Sequence, residues 1–337
     1  MKKRLVWIDS LRLMSIWGTI LIHDCAEAWR ESESLRWQYT FWQTLIHFCV
    51  PVFFMLSGTM MLQNVKTSTS VAAYVKKRIA YVVKIYVFWN SVYTVLIFLN
   101  NGRYNFRAAL KTALEGRYHL WFLWALVGLY LITPLLDFAY DKRKCQYFLI
   151  LFAAFGIFLN YGVNILKIPT LIQINQQLLL TFATQYVGYY VLGYYLHCWP
   201  PSPKQRRFLQ CLGIIAFFTC GMVTLWASAR AGQTQTEHVN YLTPYMLFIS
   251  IAVYVTAQQM APFWEKQKWV STAASYVFGI YVLHDAVFRA IGVAHLKEFY
   301  NMIPPLVSVP LATTVIFLLC FLICLLLKRI PVIKTFL

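Results

Sequence analysis

The stretch Ile8–Asp24, IDSLRLMSIWGTILIHD, decides how the chain is read. It lies in an apolar segment of membrane-spanning length, 5–27, yet it carries Asp9, Arg12, His23 and Asp24. A helix turns about 100° and rises about 1.5 Å per residue, so Arg12 and His23 share nearly one face and stand roughly 16 Å apart along the axis. Asp9 and Arg12 form an i,i+3 pair on that face. An ionisable group in hydrocarbon costs at least about 2.5–3.5 kcal/mol and therefore turns toward a partner or water inside a helix bundle. The stretch reads as an interior transmembrane helix with a charged pair in its first half and an imidazole in its second.

The whole composition agrees. Of 337 residues, 60% are hydrophobic, 18% aromatic and only 12% charged, which places the chain in the membrane class and excludes a large soluble core. Ten apolar segments emerge, at 5–27, 41–63, 79–99, 119–137, 146–163, 177–197, 208–228, 241–260, 275–294 and 305–327. The charged stretch Tyr104–Gly116 between the third and fourth is expected to lie at the interface. The expected fold is an all-α integral membrane protein, one bundle of about ten transmembrane helices forming a single domain over 1–337, with no soluble appended domain.

The net charge of +18 raises the question of nucleic acid. Ten spans leave 18 of the 30 Lys and Arg residues on the side of the N-terminus, nine on the other, and Arg12, Lys84 and Arg289 within spans. That asymmetry is the positive-inside signal, and it puts both termini in the cytoplasm. The basic residues are spread over almost every turn of that side with no long aromatic-interleaved tract, so no nucleic-acid partner is expected. MKKR precedes an apolar run as in a signal peptide, but Arg12 interrupts the run and no small-residue cleavage site follows. Cys49, Cys211, Cys220, Cys320 and Cys324 fall inside apolar runs and read as small buried hydrophobes rather than a disulfide framework.

Alone, Arg12 reads equally well as a structural salt bridge to Asp9 or as part of a site, whereas Lys84 and Arg289 stand near span ends and can snorkel. His23 has the side chain best suited to accept a proton near neutral pH. PVFFMLSG, Pro51–Gly58, ends in two small residues that suit close helix packing. The run Lys76, Lys77, Arg78 is a topology signal that would also attract a phosphate-bearing ligand.

Five stretches in order, DSLRLMSIWGTILIH, VPVFFMLSG, the basic run at Lys77 and Arg78, HLWFLWALVGLYLITPLL and GIYVLHDAVF, resemble the signatures of membrane acyltransferase family three. The first matches that family's R-x10-H helix at Arg12 and His23. One feature departs: the family often has two arginines three apart entering its third helix, whereas Tyr81 follows Arg78 here and the next cation is Lys84. The resemblance is nearest to the stand-alone O-acetyltransferases of enterobacterial common antigen type.

The resemblance implies a multi-pass enzyme of the bacterial cytoplasmic (inner) membrane. It would move an acyl group, most often acetyl from acetyl-CoA, to a hydroxyl of a surface-glycan or lipid-linked sugar acceptor, without a metal. It implies that His23 is the general base or an acyl carrier, that Arg12 orients or stabilises the thioester with Asp9 holding it, and that Lys77, Arg78 and Lys84 meet the donor phosphates. Glu115 and Trp121 would line an outer vestibule for sugar, and Trp121 fits an interfacial belt equally well. His119 and His284 read as helix-packing or hydrogen-bonding residues. The competing readings are a multi-pass transporter or exporter of a glycan or small acyl compound, for which no paired broken helices are visible, and an inactive scaffold.

Overall fold

A computed structural model describes residues 5–68, 70–101, 107, 116–178, 180 and 185–336. Every described regular element is helical. The principal helices are α1 (Val6–Asp24), α2 (Arg36–Ile46), α3 (Cys49–Lys66), α4 (Val71–Asn101), α5 (Trp121–Ile132), α6 (Lys142–Leu151), α7 (Asn160–Leu166), α8 (Pro169–Gln177) and α9 (Val187–Cys198). They continue with α10 (Pro203–Ala231), α11 (Pro244–Gln259), α12 (Lys268–Ala274), α13 (Val277–Ile291), α14 (Val293–Met302) and α15 (Pro305–Leu327). A π-helix, Phe152–Leu159, joins α6 to α7. The interfacial expectation for Tyr104–Gly116 falls almost entirely outside the described residues, as does Glu115.

A helix occupies each of the ten expected segments, but seven among the described residues are long and apolar enough to cross a membrane: Arg36–Lys66, Val71–Leu96, Tyr118–Leu135, Lys142–Leu166, Pro203–Ala231, Glu237–Gln259 and Pro305–Leu327. That measure reads length and apolarity alone, and the remaining three expected segments are helical without meeting it. Two of the other three are short: α9 has 12 residues and α13 has 15, or about 18 and 22 Å of helix against a hydrocarbon core of about 30 Å. The third, α1, has 19 residues and contains Asp9, Arg12 and Asp24.

These three share a position in the fold. Thirteen of the 19 residues of α1 are buried, nine of 12 in α9 and nine of 15 in α13, whereas only five of 29 are buried in α10. A helix with few lipid-facing side chains can carry polar ones, as α1 does, or fall short of the bilayer thickness, as α9 and α13 do. α1 packs against α3, α12 and α15 and also touches α13.

Close approach is engineered by glycine where α3 crosses α9. A Cβ on Gly58 would stand 1.8 Å from the carbonyl oxygen of Tyr190, and one on Gly193 would stand 2.0 Å from that of Met55. The small residues of PVFFMLSG therefore do serve helix packing. Tyr254 of α11 locks the crossing by donating to the Gly193 carbonyl at 2.9 Å, and Thr59 lies 2.8 Å from the same hydroxyl. All eight cysteines are free; Cys49, Cys220, Cys320 and Cys324 are buried as expected, but Cys211 is exposed because it lies on the outward face of α10.

Candidate active site

α1 presents two faces to two different cavities. Ser10, Leu11, Leu13 and Met14 line the largest, about 960 Å³, whose other walls are chiefly apolar side chains of α10 and α11 and which holds no titratable residue. Arg12, Thr19 and His23, spaced by seven and four residues and hence on one helical stripe, line a smaller cavity of about 280 Å³. Reaction chemistry needs convergent polar groups in a confined space, so the smaller cavity is the candidate site.

That cavity runs along α1. At the end where α1 begins, its walls include Arg78 and Tyr81 of α4 and Arg12; further along come Ser57, Phe122 and Tyr281; at the far end stand His23, His119, Trp121 and Tyr241. A second cavity of about 550 Å³ lies at the far end, and His23 and Tyr241 belong to the walls of both. His23 thus sits where a narrow passage through the bundle meets a wider vestibule that also involves Glu27, Arg30 and Asn240.

The charged pair at the near end has the expected form. Arg12 Nη1 lies 3.7 Å from Asp9 Oδ1, and Ser271 of α12 donates to Asp9 Oδ2 at 2.8 Å, which fixes the buried carboxylate from a second helix. Asp24, the neighbour of His23, turns away from the cavity and accepts from Thr313 at 3.0 Å and from the Tyr300 hydroxyl, tying α1 to α14 and α15.

Around His23 the fold gathers residues that are distant in sequence. Its ring stacks on His284 at a centroid distance of 5.4 Å, and His284 meets His119 edge-on at 5.1 Å. His284 Nδ1 lies 2.6 Å from the Tyr281 carbonyl; a carbonyl only accepts, so Nδ1 carries the proton and Nε2 the lone pair. His119 Nδ1 is 4.0 Å from Asp285, whose Oδ2 accepts from Arg117 Nη2 at 2.8 Å and Arg289 Nε at 3.0 Å. Both ring nitrogens of His119, His284 Nε2 and Asp285 Oδ1 are buried without a hydrogen-bond partner among the described residues. His119 and His284 do pack between helices as expected, but His284 packs on His23 and His119 packs on His284. Arg289 does not merely snorkel, because Asp285 holds it.

The structure brings Arg12, His23, Arg78 and Trp121 to one cavity and puts Asp9 directly behind Arg12. Trp121 also stacks on Tyr241 at 6.4 Å, which sets it in the cavity wall. Lys77 and Lys84 are not brought there. Seven residues apart, they share a helical face about 100–120° away from Arg78, and the Lys84 ammonium sits over the Phe336 ring at 4.5 Å. His284, His119, Asp285 and Arg117 join the site without having been assigned to it; the His-Asp pair inside an otherwise apolar GIYVLHDAVF was the available signal. No group of His, Cys, Asp and Glu suited to a metal occurs among the described residues.

The chain belongs to membrane acyltransferase family three: the family's acyltransferase-domain model matches residues 5–329, nearly the whole sequence. It is a multi-pass membrane acyltransferase. No curated protein and no solved structure matches it.

Proposed function

We propose that the protein is a membrane O-acyltransferase that takes an acyl group, acetyl in the simplest case, from cytoplasmic acyl-CoA and delivers it to a hydroxyl of a surface-glycan or lipid-linked sugar. The observation that carries this reading is that His23 belongs to both cavities, with Arg12 and Arg78 along the narrow one and Asn240 and Tyr241 in the wide one. A donor entering from one end and an acceptor from the other would meet at one imidazole. The charge asymmetry of the loops makes the near end cytoplasmic and leaves both termini there. The sequence from 1 to 337 then works as one catalytic domain in the inner membrane.

In this mechanism the donor phosphates rest at the mouth near Arg78, with Lys77 and Lys84 adding positive potential rather than contact. The pantetheine arm lies along the passage and the thioester reaches the far end. His23 takes the proton from the acceptor hydroxyl as the hydroxyl oxygen forms a bond to the thioester carbon. The carbon–sulfur bond then breaks, and the departing thiolate takes the proton back from His23. Arg12, about 16 Å from His23 along α1, stands beside the donor arm in the passage and orients it toward the imidazole, and Asp9 with Ser271 fixes its position. Trp121 and Tyr241 supply stacked aromatic walls for a sugar ring.

The experiment is label transfer by the purified protein in vesicles, from radiolabelled acetyl-CoA to de-O-acylated glycan. Label in the glycan that depends on the protein supports the reading. Passage of unmodified glycan across the vesicle without label incorporation would instead identify a transporter or exporter.

A further inference from the structure

A third cavity lies next to the vestibule and plays no part in the transfer chemistry described above. It has a volume of about 490 Å³ and is formed by α7 on one side and the segment leading into α11 on the other, with Asn160, Tyr161, Asn164, Lys167, Glu237 and Asn240 in its wall. Asn240 is also a wall residue of the vestibule, so the two spaces meet at that side chain. We infer that this cleft is a second acceptor subsite, which holds the part of an oligosaccharide beyond the sugar being acylated.

The chemistry of the wall identifies the ligand class. Each asparagine amide offers donors and an acceptor, which matches the paired hydroxyls of a sugar. Lys167 and Glu237 add one charge of each sign, so the wall lacks the cationic excess that a phosphate or a nucleotide requires. Tyr161 contributes an aromatic ring, and its hydroxyl is anchored to His238 Nδ1 at 2.7 Å, which fixes the wall on the α11 side. A space of this size is within the roughly 300–1,000 Å³ range of small-ligand sites.

The backbone is irregular at this place. The eight-residue π-helix Phe152–Leu159 runs directly into Asn160, and such segments are rare and concentrate at functional sites. Asn160 and Asn164 then follow at i,i+4 on one face. Lys167 is the one non-glycine residue with positive φ among the described residues, at 52°. A left-handed conformation costs a lysine roughly 1–2 kcal/mol, and glycine would avoid it. Lys167 takes this conformation as the cap that ends α7, which turns the chain at the rim of the cleft.

This inference rests on the acyltransfer reading above. Its test uses surface glycan from the cell that makes the protein, de-O-acylated and fractionated from a single sugar to chains of several repeats. The expected result is a kcat/KM about tenfold or more higher for the long acceptor than for the single sugar. Lys167→Gly and Asn164→Ala should each bring that ratio toward one, and Lys167→Gly should leave the unfolding midpoint unchanged or higher. Calorimetric binding of the long fraction to detergent-purified protein, weakened severalfold by either variant, reads the cleft even where no transfer occurs. A ratio near one in the unaltered protein, or a ratio and a Kd unmoved by both variants, would overturn the subsite. Loss of all transfer with the Kd dependence intact would instead count against the acyltransfer reading.

Discussion

Substituting Gly58 by alanine should be far more damaging than the size of a methyl group suggests. The new Cβ would stand 1.8 Å from the Tyr190 carbonyl oxygen, against an ordinary contact of about 3.4 Å, so α3 and α9 would have to separate by roughly 1.5 Å. The opposing atom is backbone and no rotamer change relieves it. Overpacking costs about 1–3 kcal/mol where side chains adjust, so a rigid crossing puts Gly58→Ala at about 3 kcal/mol or more. Separation would also stretch the Tyr254 bond to Gly193 and move Ser57 in the cavity wall, so activity should fall with stability. Gly193→Ala meets Met55 at the same crossing, and once the helices have parted the second methyl has room. The double variant should therefore cost clearly less than the two single costs added together. Gly128→Ala is the control: nothing lies within 4 Å of its new Cβ, and alanine favours a helix by about 1 kcal/mol over glycine. Reversible unfolding in mixed micelles measures all four. If Gly58→Ala unfolds like Gly128→Ala, the close crossing of α3 and α9 is not what holds the bundle centre together.

Asp285 is 1% exposed and faces Arg117 at 15% exposure, so Asp285→Ala should cost about 3–5 kcal/mol by leaving the guanidinium unpaired, and Arg117→Met with Asp285→Leu should recover part of that in the same unfolding assay. Arg289, 56% exposed, should contribute about 1 kcal/mol or less, measured as Arg289→Ala. In steady-state kinetics Arg78→Ala should raise KM for acetyl-CoA severalfold with kcat nearly intact, and Lys84→Ala should raise it less; equal effects would contradict the distinct helical faces assigned to them.

The helical class and the importance of α1 were legible in the sequence because both rest on local periodicity. Arg12, Thr19 and His23 fall on one stripe by spacing alone, and the structure opens a cavity along that stripe. What hydropathy could not show was burial. Counting apolar residues finds any helix that is long and apolar enough, the buried Arg36–Lys66 included, and passes over α1 with its three charged residues and the short, buried α9 and α13. The histidine cluster was hidden for a different reason. His23, His119 and His284 come from three segments whose neighbourhood is set by packing of α1 against α13 and by the turn before α5, and no spacing rule joins them. The basic run was legible as charge but not as direction: helical phase separates Arg78 from Lys77 and Lys84, a distinction that mattered only once the cavity lay on one side of α4.

The central claim is that one imidazole serves both cavities as the proton acceptor. It is tested most directly by His23→Ala in the label-transfer assay, with acetyl-CoA binding measured in parallel. The account predicts a loss of about 10²–10⁴ in kcat with donor affinity retained, since Arg12 and Arg78 remain in place. A His23→Ala protein that inserts, binds acetyl-CoA and acylates glycan at the unaltered rate would contradict it.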